Sequence, residues 1–97
     1  MATITVKVKD GEFTQSATSA SDGDTVQFVN DRSADVTVKL SGFDKGNVEL
    51  GTGSNSKKKS ATINISSGKA TFKAPRPPSP KAGDNDLKGD ITVNPNQ

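Results

Sequence analysis

DGDTVQFVNDRSADVTVKL, residues 22–40, decides how this chain is read. Val26 and Phe28 alternate with Thr25 and Gln27, and Val36, Val38 and Leu40 alternate with Asp35, Thr37 and Lys39. Successive strand side chains point to opposite faces, so a period of two with one apolar face describes a half-buried β-strand. Between the runs lies Asn30-Asp31-Arg32-Ser33-Ala34, a polar cluster of the kind that turns a chain. The stretch is therefore expected to be a hairpin.

The same period recurs on both sides. Ile4, Val6 and Val8 alternate with Thr and Lys, as do Ala61, Ile63 and Ile65 with Thr62 and Asn64. Ala70 and Phe72 form another pair, and Ile91 with Val93 closes the series. Turn dipeptides such as Asp22-Gly23, Ser41-Gly42 and Ser67-Gly68 fall between these runs. SSGK, residues 66–69, reads as a tight hairpin turn with Gly68 supplying a positive φ. No helical period of useful length is present. FDKGNVEL, 43–50, has room for one helical turn, and Gly46 argues against more. These signals predict one all-β domain over 1–97, a single antiparallel β-sandwich of seven or so strands. Its inward residues are expected to be Val26, Phe28, Val36, Val38, Ile63, Ile65, Phe72, Ile91 and Val93, with Gln27 and Thr37 facing out.

Composition narrows the function. Only 29% of the 97 residues are hydrophobic, and the four Phe are the sole aromatics, so the core is thin and aliphatic. A net charge of +2, with both signs spread along the chain, is enough for solubility and too little to argue nucleic-acid binding. Without cysteine the chain needs no disulfide and folds in either redox compartment. No run approaches the roughly 18 apolar residues of a membrane span. The start, MATITVKVKD, lacks the basic and apolar regions of a secretory signal, and cytoplasmic or exported settings both stay open.

FTQSATSASDGDTVQFVND, 13–31, resembles the N-terminal half of the cupredoxins, through Phe13, the Gly23-Asp24 turn, Val26, Phe28 and Asn30. LKGDITV, 87–93, is similar to the closing strand of that family. The resemblance implies a Greek-key sandwich with a copper site near Ala34-Asp35-Val36, near Ala74-Pro75 and within PRPPSPKAGDNDL, 75–87. A blue-copper centre needs two imidazoles and a thiolate. This chain contains neither His nor Cys, so the copper function is expected to be missing. An immunoglobulin-like sandwich fits the same strand pattern.

Other chemistry is equally thin. The lack of His and Cys removes the commonest general bases and thiol nucleophiles. Asp22 with Asp24, and Asp84 with Asp86, are close in sequence, but Asp in such places ordinarily bonds turn amides. GDNDLKGD, 83–90, offers Asp84, Asp86 and Asp90 as a weak calcium-type site without the closing Glu of an EF-hand.

The expectation is thus a non-catalytic module with no cofactor that engages another protein or macromolecular assembly through loops or a sheet face. The alternative is a calcium-binding relative of the cupredoxins without electron transfer. Two loops are candidate contact sites. GTGSNSKKKS, 51–60, carries Lys57, Lys58 and Lys59, and 75–86 carries Arg76, Pro77 and Pro78 on a segment stiffened by proline.

Overall fold

The computed structural model describes residues 2–75 and 86–95. Nine strands and no helix occur among them: β1 Thr3–Val8, β2 Phe13–Gln15, β3 Ser19–Ser21, β4 Thr25–Asn30, β5 Val36–Ser41, β6 Asn47–Leu50, β7 Lys58–Thr62, β8 Gly68–Ala74 and β9 Leu87–Asn94. They form a four-stranded sheet in the order β2-β1-β4-β7 and a five-stranded sheet in the order β3-β9-β8-β5-β6. The all-β sandwich is as the alternation predicts. Two pairings are parallel, β1 with β4 and β3 with β9, where an antiparallel sandwich was expected.

The two expected hairpins are both corners between sheets. β4 pairs with β1 and β7, whereas β5 pairs with β6 and β8. The polar cluster after Asn30 therefore carries the chain across the sandwich. SSGK does the same between β7 and β8, with Gly68 at φ 104° as expected. The segment 13–21 also straddles the layers, since β2 pairs with β1 and β3 with β9. Gln15 ties this crossing together by donating from Nε2 to the carbonyls of Ala17, at 3.3 Å, and Asp90, at 3.1 Å. On the opposite side, Phe43 bridges Ile63, and Asp44 exchanges hydrogen bonds with the Thr62 backbone. No helical turn forms at 43–50, where β6 occupies the second half.

The inward residues follow the alternation. Phe28, Val26 and Val38 are fully enclosed, and Val36, Ile63, Phe72, Ile91 and Val93 are buried with them. Ile65 lies beyond the end of β7 and is only half-buried against the core. All four phenylalanines meet edge to face in one chain: Phe13 to Phe72 at 4.9 Å, Phe72 to Phe28 at 5.4 Å and Phe28 to Phe43 at 5.9 Å. Such pairs add about 0.5–1.5 kcal/mol each beyond the area they bury. A chain with so few large side chains concentrates them where both sheets meet.

Candidate functional site

At one end of the sandwich the corner after β4 is built on Asn30, one of two buried polar residues among those described. Its Nδ2 donates to the carbonyls of Ala34, at 2.9 Å, and Gly51, at 2.8 Å, while its Oδ1 accepts from the Arg32 amide at 2.9 Å. The side chain thus spends both donors and its acceptor on holding two connections together. Arg32 then reaches across: Nε donates to the Lys9 carbonyl at 2.9 Å and Nη1 to the Pro75 carbonyl at 2.6 Å. Its Nη2 is buried and has no hydrogen-bond partner among the described residues. Burial pulls the Arg32 pKa down, and Asp10 partly restores it.

Ala34-Asp35-Val36 and Ala74-Pro75 are two of the three neighbourhoods where the cupredoxin resemblance implies copper ligands. Here the Arg32 guanidinium, two residues before Ala34 in the chain, bonds the carbonyls of Lys9 and Pro75. Ala34, Asp35, Val36, Ala74 and Pro75 supply no imidazole and no thiolate, so these residues do not fit a blue-copper centre.

Arg76, Pro77, Pro78 and Asp84 lie outside the described residues. The basic stretch is not a loop throughout. Residues 51–57 make a compact turn, closed by Gly51 N to Ser56 O, Lys57 N to Gly53 O and Gly53 N to Ser56 Oγ. Lys57 is half-buried there, and its carbonyl accepts from the Asn30 amide. Lys58 and Lys59 belong to β7, an edge strand. Lys59 faces Phe28 in register, on the core side by parity, yet is exposed. An inward charge on an edge strand discourages a further strand from adding. Lys59 is placed where a charge has that effect.

Asp24 is a turn residue, as the short spacing to Asp22 suggests. Its carboxylate accepts from the amides of Ser21, at 3.0 Å, and Ala2, at 3.1 Å. Those bonds, the Ser21 bond foremost, hold its pKa below the ordinary carboxylate value. Asp90 sits within β9, where Nζ of Lys69 lies 3.9 Å from it. Among the described residues no group of three or more acidic side chains is placed to hold a metal ion.

The feature that composition hid is on the outer face of the five-stranded sheet. Register sets Lys39 opposite Lys73 and Lys73 opposite Lys88. All three are exposed. The neighbouring row on the same face is Ser41, Thr71 and Asp90. Between them runs Leu40, Phe72 and Gly89, whose inward side gives Phe72 its place in the core. The two polar rows flank a shallow open groove of about 430 Å³. Each Lys stood alone in an alternating run, so a scan for charge clusters along the chain passes over them. Only strand pairing assembles the row.

Comparison with protein-family models and with curated proteins finds no match for this chain.

Proposed function

We propose that this chain is a non-catalytic binding module, a cupredoxin-like sandwich without copper ligands, that engages an anionic macromolecule through the outer face of its five-stranded sheet. The observation that carries this reading is the row Lys39, Lys73 and Lys88 across three adjacent strands. The cupredoxin-like reading is supported by the roles of the residues that suggested it. Phe13 opens β2, Gly23-Asp24 turns the chain into β4, and Asn30 ends β4 and pins the corner beyond it. The parallel pairs β1–β4 and β3–β9 also favour it over an immunoglobulin-like arrangement, which is built from two antiparallel sheets.

Retention on immobilised polyglutamate tests the binding face. Changing Lys39, Lys73 and Lys88 to Gln is expected to bring elution forward at physiological salt. Changing Lys57, Lys58 and Lys59 to Gln removes the same charge and is expected to have a much smaller effect, because exposed charges beyond a Debye length of about 8 Å contribute little. Equal losses from the two triples would mean that net charge alone is sensed, and the reading would fail.

A further inference from the structure

The lysine row runs counter to the needs of the fold. Like charges directly opposite on neighbouring strands destabilise a sheet. Protection of an edge, which accounts for Lys59, does not apply, because β5, β8 and β9 are the three interior strands of their sheet. Among the described residues no carboxylate pairs with Lys39, Lys73 or Lys88; the adjacent Asp90 lies instead beside Lys69. Three like charges are thus held in line by backbone hydrogen bonding.

The spacing of that line selects what fits it. Neighbouring strands lie about 4.7–4.9 Å apart, so the row spans roughly 9–10 Å. Side chains three and four residues apart on an α-helix are separated by about 5–6 Å. Seven helical residues advance about 10.5 Å. Carboxylates at positions i, i+4 and i+7 therefore match the three lysines one to one. An extended strand repeats on one face about every 6.6–6.8 Å, and three such carboxylates overshoot the row by several ångströms. A facing sheet docks through interdigitating apolar side chains, whereas this face presents Lys, Ser, Thr and Asp. Single-stranded nucleic acid wants aromatic platforms, and the four phenylalanines are engaged in the ring chain of the interior.

We propose that Lys39, Lys73 and Lys88 receive the acidic face of an α-helix from a partner protein, laid across β5, β8 and β9. This rests on the reading of the sheet face as a binding surface and adds the geometry of its occupant. Leu40, Phe72 and Gly89 lie beside the contact line, and Asp90 repels the partner on the far side of the groove, which fixes the edge along which the helix lies.

The test uses the whole chain, labelled for amide NMR, and two hydrocarbon-stapled helical peptides of identical composition. One places three Glu at i, i+4 and i+7; the other spreads them around the helix at i, i+2 and i+5. The aligned peptide is expected to shift the amides of Lys39, Lys73 and Lys88 and to bind roughly tenfold tighter than the spread one. The chain with Lys39, Lys73 and Lys88 changed to Gln should keep the dispersed spectrum of the folded domain and lose that preference. Equal binding of the two peptides at these amides overturns the helix register while leaving the face as an anion-binding surface. Failure of both peptides and of polyglutamate to shift these amides overturns the register and the binding face together.

Discussion

Two neighbouring rows cross the same three strands and serve opposite ends. Leu40, Phe72 and Gly89 point inward; Lys39, Lys73 and Lys88, one residue along each strand, point outward. In the first row every element supports the fold. Gly89 has no side chain, and the Phe72 ring fills the space that one would take, since a Cβ there would collide with the ring. The ring in turn meets Phe13 and Phe28 edge to face. In the second row three like charges are set side by side with no gain in packing. One row shows what folding selects, and the other shows what folding only tolerates.

The sharpest way to break the inner row is Phe72→Ala. Loss of a fully buried ring from a thin core is expected to cost about 3–5 kcal/mol in chemical denaturation. Gly89→Ala should follow, at about 1–3 kcal/mol, because the new methyl forces Phe72 out of its place. The pair sharpens the account further. With Phe72 already Ala, the Gly89 change has nothing to collide with and should cost far less than it does alone. Additive losses would show that the ring does not occupy the glycine's space.

At the corners the expected losses are no larger than that at Gly89. Asn30→Ala leaves the carbonyls of Ala34 and Gly51 and the amide of Arg32 without their partner, and should cost about 1–3 kcal/mol. Asp24→Asn tests a turn through its pH dependence. The folded-state pKa of Asp24 is lowered, so its contribution is complete above the ordinary carboxylate value of 3.8 and fades as pH falls through the lowered one. The variant should be less stable than the parent at pH 7, by about 1–2 kcal/mol, and the gap should close in acid. A gap that is unchanged at pH 2 would mean that charge plays no part in that turn.

The same contrast explains what could be read from the sequence. Alternation reports which face a residue takes, so the inward sets on β4, β5, β8 and β9 were legible. It does not report which strand lies alongside. Residues 31–35 look the same whether they close a hairpin or cross between sheets, and the deciding contact, Asn30 to Gly51, spans 21 positions. β2 and β3 are three residues each, of Phe, Thr, Gln, Ser and Ala, too short and too polar for a period to show. At 47–50 two apolar residues cannot separate a strand from a helical turn, and register made it β6. Lys58 and Lys59 read as loop because a basic run suppresses the alternation that marks a strand. The lysine row needed the pairing of β5 with β8 and β8 with β9, which no local pattern contains.

The central claim is that this row exists for a partner and not for the fold, and urea unfolding at low and high salt tests it most directly. Lys39, Lys73 and Lys88 changed together to Gln should leave the domain at least as stable as the parent in low salt, with a gain of a few tenths to about 1 kcal/mol. That gain should shrink in 1 M salt, where the Debye length falls to about 3 Å and the repulsion is screened. A triple variant less stable than the parent at low salt would contradict the claim, because the lysines would then be holding the sheet together.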